Sequence, residues 1–249
     1  MIEEIYVMWL RQVKQFVRSK SRMIGSLAQP ILFLVALGLG FGPIFEQAGG
    51  GNYILFLTPG IIGMTILFGS VFNGMSLIWD KNFGFLKETF VAPVSRTSLL
   101  LGRCLGGATA ATFQGLVVLA ISYFLGFSVK ELILLPAIIL FMLMVSLVFN
   151  LLGTIIASKL DDMQAFQLVM NFIIMPMFFL SGALFPLDNL PSEVIIITQL
   201  NPLSYGVDGM RALLIGTSQF GMAIDFGVIA GTIVILLVLG RYFFERIEA

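Results

Sequence analysis

Residues Leu132 to Ser158 read LILLPAIILFMLMVSLVFNLLGTIIAS, with no Asp, Glu, Lys or Arg among them. A helix needs about 20 mostly apolar residues to cross a hydrocarbon core of roughly 30 Å, and this run exceeds that length. A membrane β-barrel needs alternating segments of about ten residues, whereas this run is apolar throughout. The segment reads as a membrane helix. Further long charge-free runs surround it: Met23 to Phe45, Gln47 to Trp79, Cys104 to Val129 and Met163 to Leu187. Phe226 to Gly240 is shorter. It reaches spanning length if Asp225 sits in one headgroup layer and Arg241 snorkels into the other. Gln47–Trp79 is too long for one span, and Thr58-Pro59-Gly60 reads as its helix start, with proline near the first turn. An all-α membrane protein with six spans is expected, at about 25–45, 58–79, 102–125, 132–157, 163–181 and 221–243.

Composition agrees. Only 11% of the 249 residues are charged and 58% are hydrophobic, with a mean hydropathy of +1.01. A soluble domain carries about 25% charged residues, so an ordinary soluble enzyme is excluded, as is a disordered chain. The formal net charge is +0, which leaves no basic surplus for nucleic acid. The lone Cys104 cannot form an internal disulfide, and without His the usual zinc, haem and iron–sulfur ligand sets are absent, so no cofactor or metal is expected.

Lys and Arg set the orientation. Arg11, Lys14, Arg18, Lys20 and Arg22 precede the first span. Lys81, Lys87, Arg96 and Arg103 follow the second, Lys159 follows the fourth, and Arg241 and Arg246 close the chain. Only Lys130 and Arg211 fall on the other side. Both termini are therefore expected in the cytoplasm. The first apolar run is too long for a signal-peptide core and no small-residue cleavage site follows it, so it is expected to be retained.

On a helical wheel Ile2, Ile5, Tyr6, Trp9, Val13, Phe16 and Val17 share one face, and Glu3, Glu4, Arg11, Lys14 and Arg18 the opposite one. Residues 1–20 therefore read as an amphipathic interfacial helix, either a surface anchor or a brace that also touches a cytoplasmic partner. After the second span, DKNFGFLKETFVAPVSRTSLLLGR (Asp80–Arg103) has a helix-compatible core at Gly84–Val91. Pro93 stops it, and Ser95, Thr97 and Ser98 offer N-caps for the third span. Phe83, Phe85, Phe90 and Val91 beside Lys87 and Glu88 make either a docking peg for a protein groove or a loop whose rings rest on lipid.

Topology demands an outer segment between Ser181 and Gly221, yet Val194–Ile197 and Ala212–Ile215 are too apolar to face water. Two short helices are expected, at about 191–199 and 202–215, dipping into the outer leaflet, with Asn201-Pro202 as cap and start and Gly216 as stop. Asp208 and Arg211 are three apart and able to pair. The segment reads either as a lid over a transport path or as a structural plug.

No GxxxxGK[ST] phosphate loop occurs, and no carboxylate or Lys sits near mid-membrane, which disfavours a proton-coupled carrier. Thr65, Asn73, Gln114, Asn150 and Asn171 are the polar residues within spans, more simply helix–helix hydrogen bonds than ligand contacts. Gly102/Gly106 and Gly227/Gly231 are GxxxG packing faces. Ile61, Thr65, Phe68 and Phe72 in span two, and Asn171, Phe172, Met175 and Phe179 in span five, recur at helical spacing, with Pro176 placed to kink the helix. They read as packing stripes or as an adaptable apolar path.

The combination resembles the permease subunits of type-2 ATP-binding-cassette exporters, the daunorubicin-resistance and nodulation-type branch. An amphipathic helix precedes six spans. Lys87-Glu88 and Ala92-Pro93-Val94-Ser95-Arg96 follow span two. Ser181-Gly182, Phe185-Pro186 and Leu190-Pro191 follow span five. Asn201-Pro202-Leu203-Ser204-Tyr205 and Asp208-Gly209-Met210-Arg211 come next. The resemblance implies a second copy of the chain and two separate cytoplasmic ATPase subunits as partners. It implies a coupling helix within 83–92, involving Phe83, Phe85, Leu86, Lys87, Glu88, Phe90 and Arg96. Spans two and five would meet their mates and line the path or dimer interface through Thr65, Phe68, Phe72, Asn171, Phe172, Met175 and Phe179. A re-entrant outer pair would carry a gate at Pro202, Tyr205, Asp208 and Arg211. The exported molecule would be a small molecule, lipid or glycan, and the composition leans towards an amphiphile. An ATP-independent channel or carrier and a membrane scaffold are the competing classes.

Overall fold

The computed structural model describes residues 2–47, 49, 51–91, 93–187 and 191–247, the side chains of Arg22, Lys87 and Phe90 excepted. Ala92 and Leu190 of the expected motifs, and those side chains of Lys87 and Phe90, lie outside the described residues. Among the described residues the regular structure is helical throughout. The helices are α1 (Ile2–Arg18), α2 (Lys20–Gln47), α3 (Tyr53–Asn82), α4 (Phe85–Val91), α5 (Arg96–Phe124), α6 (Leu135–Lys159), α7 (Met163–Val169), α8 (Met175–Phe179), α9 (Ser192–Leu200), α10 (Pro202–Ile215) and α11 (Met222–Phe244).

Among the described residues, five helices are long and apolar enough to cross a membrane, in the stretches Met23–Gln47, Tyr53–Asn82, Arg96–Phe124, Leu132–Lys159 and Met222–Phe244. The expected sixth, at 163–181, is instead the shorter apolar stretch Met163–Phe179, about 25 Å of helix. A π-helical turn, Met170–Ile174, joins α7 to α8 directly before Pro176. Pro176 lacks an N–H for the α-helical ladder, and the wider turn accommodates that gap.

α3 starts earlier than Thr58-Pro59-Gly60 suggests. Asn52 caps it by accepting from the Ile54 amide, so Pro59 lies inside the helix. Thr58 Oγ1 donates to the Ile54 carbonyl. This helix is the hub, packing against α2, α5, α6 and α10, and it is the most buried of the five long helices. At its crossing with α6, Gly74 lies directly against the Gly153 backbone. The core is apolar, built from residues such as Leu57, Ile62, Leu67, Phe141, Phe149 and Val207.

α1 packs along α5 in the same chain direction. Trp9 Nε1 donates to Thr109 Oγ1 at 3.0 Å, and the Phe16 ring meets Phe113. A Cβ at Gly102 would stand 2.6 Å from the Ile5 carbonyl oxygen, and one at Gly106 2.5 Å from Gln12 Cβ, so this glycine pair is the seat of α1. The Ser98 hydroxyl holds the Glu4 carboxyl below the usual carboxylate range. The apolar stripe of α1 is split. Ile5, Trp9 and Phe16 are half-buried, whereas Ile2, Tyr6 and Val17 are exposed. A Cβ at Gly227 or Gly231 would meet no other segment among the described residues within 4 Å, so that pair is not a packing face between them.

Candidate functional site

The end of α3 carries the densest charge. Asp80 accepts from Arg11 at 2.9 Å and from Arg103 at 2.7 Å. Arg103 also donates to Ser76 Oγ at 2.8 Å and is 1% exposed. Two guanidinium groups face one carboxylate, and the Arg11 guanidinium lies 3.8 Å above the Phe85 ring. The ring's negative face takes part of the surplus positive charge. One node thus joins α1, α3, α5 and the start of α4. Arg103 was expected among the cytoplasmic loop charges, but α5 begins at Arg96 under a Ser95 cap. That carries Arg103 into the bundle, where burial demands a partner.

α4 leaves α3 through Gly84, whose φ of 77° suits glycine. The expected docking residues divide by position. Leu86 is buried in the core and Phe85 is half-buried beneath Arg11. Glu88 is exposed, and Phe83 and Val91 are 75% and 86% exposed. Phe83 stacks on Trp79. The base of α4 is tied in by Lys81, which pairs with Asp161 at 2.6 Å, and by Arg96, which donates to the Glu245 and Ile247 carbonyls.

A cavity of about 730 Å³ opens beside this node, between α1, α2, α3 and α5. Thr65, Phe68 and Phe72 line it, together with Phe16, Met64, Met75, Trp79 and Phe83. Its polar wall is mostly amide and hydroxyl: Gln12, Gln15, Ser26, Gln29, Asn73, Ser76 and Gln114, with Asp80 at the charged end. Gln114 Nε2 donates to Ser26 Oγ and Asn73 Nδ2 to Asn150 Oδ1, so these amides also bond helix to helix. Gln12 Nε2 is buried without a hydrogen-bond partner. The glutamines of α1 and α2 were not anticipated, because a wheel shows α1 as amphipathic without showing which helix covers it.

Asn171, Phe172, Met175 and Phe179 do not line this cavity. Phe166, Met170, Ile174 and Phe178 form the inward stripe, and Phe178 meets Phe68 edge-on. Phe172 is 77% exposed, and Asn171 and Phe179 are also exposed. The span-two and span-five stripes therefore stay apart within one chain.

At the opposite end of α3, Asn201 caps α10 by accepting from Leu203 and donates to the Met177 carbonyl. Pro202 is the first residue of α10, and Gly216 closes it with φ 77°. The Tyr205 hydroxyl donates to the Gln199 carbonyl. The anticipated Asp208–Arg211 pair does not form. Asp208 accepts from Ser218 Oγ at 2.8 Å and from the Gln219 and Phe220 amides. Arg211 donates to the Gly182 carbonyl and lies over the Phe56 ring. Backbone amides of the following loop reach Asp208 without ordering a long side chain, which gives them the advantage over Arg211.

Long apolar helices packed around a charged node and an amphipathic cavity are the frame of a membrane-embedded protein. Residues 3–215 match the ABC-2 type transporter family, and the chain belongs to that family. It is 31% identical to the putative transport permease ycf38 of Cyanophora paradoxa, over 96% of this chain and 85% of that protein. It is 27% identical to nodulation protein J of Rhizobium meliloti (strain 1021), over 83% and 79%. It is 26% identical to the inner membrane transport permease YadH of Escherichia coli (strain K12), over 91% and 88%.

Proposed function

We propose that the chain is the membrane half of an ATP-driven exporter. Two copies pair, and a cytoplasmic ATPase docks beneath each, with α4 as the coupling helix. Met163–Phe179 supplies the sixth crossing, both termini are cytoplasmic, and α9 and α10 form the re-entrant outer lid. The exposed Asn171, Phe172 and Phe179 stripe faces the second copy. The cavity takes an amphiphile, lipid-like or glycan-bearing, since its rings suit an apolar portion and its amides and hydroxyls a polar neutral one. The chain itself performs no chemistry.

One observation carries this reading: α4 presents exposed Glu88 and Val91, with exposed Phe83 just before it, while its root rests on the Arg11–Asp80–Arg103 node. A push on α4 therefore reaches three helices at once. Glu88→Lys, or Phe85→Pro, is expected to leave the protein inserted and to uncouple transport from ATP hydrolysis. Vesicles containing the permease and its ATPase test this by measuring both rates. Normal export by either variant sinks the coupling assignment.

A further inference from the structure

α1 and α2 meet at an elbow whose one non-helical residue is Ser19, with its amide donating to the Phe16 carbonyl at 3.2 Å. A crevice of about 980 Å³ opens on this elbow. Arg11, Lys14, Arg18 and Lys20 line it, and among the described residues no carboxylate does. Ser19 and Ser21 add hydroxyls, and Val7 and Leu10 an apolar edge. Of these residues the transport reading uses only Arg11.

Lys14, Arg18 and Lys20 are exposed and make no ion pair among the described residues. The acids of α1, Glu3 and Glu4, sit in its first turn, at the far end of the helix. Lys14 and Arg18 are four apart, one helical turn, where like charges repel. Arg11 is paired with Asp80 at 2.9 Å, but Asp80 also serves Arg103, so the node holds two guanidinium groups for one carboxylate. An anion in the crevice relieves both excesses of positive charge. A phosphate does so best, because its oxygens accept from several Lys and Arg donors at once.

The place of the crevice names the source of that phosphate. Lys20 and Arg22 are the last charged residues before Met23–Phe45, which has none. Charged heads stay out of hydrocarbon, so the elbow lies in the headgroup layer at the mouth of that span. Lipid phosphates fill that layer. Exposed Ile2, Tyr6 and Val17 share a stripe of α1 with Leu10 and suit acyl chains beside the basic groups.

We propose that this crevice binds the phosphate headgroup of an anionic membrane phospholipid, which clamps α1 to the start of α2 and steadies the Arg11–Asp80–Arg103 node. Arg11 belongs to both the crevice and the node, so lipid composition reaches the root of α4 through one side chain. Neither an ATPase nor a transported substrate is needed for the lipid to bind.

The test titrates phosphatidylglycerol, phosphatidylcholine or inorganic phosphate into the purified full-length chain in neutral detergent. Native mass spectrometry reads the lipid retained, and a thermal melt reads the fold. Wild type should retain phosphatidylglycerol saturably, about tenfold or more tightly than phosphatidylcholine, with Tm raised by several degrees. Raised salt should weaken the binding. The triple variant Lys14→Gln, Arg18→Gln, Lys20→Gln should bind phosphatidylglycerol about tenfold or more weakly and lose the rise in Tm. Lys159→Gln, Arg241→Gln, Arg246→Gln removes the same charge at the ends of α6 and α11, and should bind as wild type does.

Equal retention of the two lipids by wild type overturns the proposal, as does equal binding of phosphatidylglycerol by the two triple variants. Displacement of the lipid by inorganic phosphate at like concentration would make the crevice a site for free anions and overturn the lipid assignment. A crevice variant that keeps phosphatidylglycerol but no longer holds its ATPase would give the crevice to an acidic protein surface instead, which also overturns it.

Discussion

Asp80→Ala is expected to lower stability by about 3–5 kcal/mol, because it strands a buried guanidinium. Arg103 is 1% exposed and would keep only its bond to Ser76. Arg11 would lose its anchor at the same time and release the Phe85 ring. On the usual scaling for a chain of this size, Tm drops by about 6–20 °C. Differential scanning of the detergent-solubilised protein measures it. Replacing both members of the buried pair, Asp80→Leu with Arg103→Met, should recover most of the loss, since an apolar pair carries no desolvation penalty. The double variant should nonetheless remain uncoupled, because nothing then ties α3 to Arg11. A Tm for Asp80→Ala within about 1 °C of wild type would show that the node contributes little, since exposed pairs are worth about 0–1 kcal/mol.

Gly74→Val should be comparably damaging for a steric reason. Its Cβ would lie 2.4 Å from the Gly153 carbonyl carbon, and the obstacle is helix backbone. Overpacking of a core typically costs about 1–3 kcal/mol and occasionally more. A backbone-to-backbone crossing at the hub helix belongs at the upper end, since no side chain can rotate aside. The α3–α6 crossing must open, with loss of folded yield and a lowered Tm. Gly231→Val is the internal control. A Cβ at Gly231 would meet no atom of another described segment within 4 Å, so the variant should match wild type in the solubilised monomer. Equal behaviour of the two variants would contradict the crossing geometry.

The all-helical bundle was legible because charge-free runs of spanning length admit one backbone solution in lipid. Helix ends were legible where local chemistry decides them: Ser95 before α5, Asn201-Pro202 before α10 and Gly216 after it. The start of α3 was not, because Asn52 caps it from upstream and Pro59 is carried inside the helix. The facing of span five was not legible, because the helical spacing of Asn171, Phe172, Met175 and Phe179 fixes a stripe and not the neighbour it meets. Within one chain Asn171, Phe172 and Phe179 lie outside, and Ile174 and Phe178 lie inside.

The node and the cavity were hidden for another reason. Arg11, Asp80 and Arg103 come from three separate segments, and only the seating of α1 on Gly102 and Gly106 brings them together. The same seating places Gln12 and Gln15 at the cavity wall. Asp208 and Arg211 illustrate the limit of spacing rules. Residues three apart on a helix are able to pair, yet each found a better partner in a loop that no periodicity describes.

The central claim is that α4 faces the cytoplasm and receives an ATPase. Val91 is 86% exposed, and the native thiol of Cys104 is buried, so Val91→Cys gives a clean reporter. A membrane-impermeant maleimide should label it in inside-out vesicles and leave it untouched in intact cells, and binding of the ATPase should slow the labelling. Labelling of intact cells from outside, or a rate unchanged by the ATPase, would contradict the account.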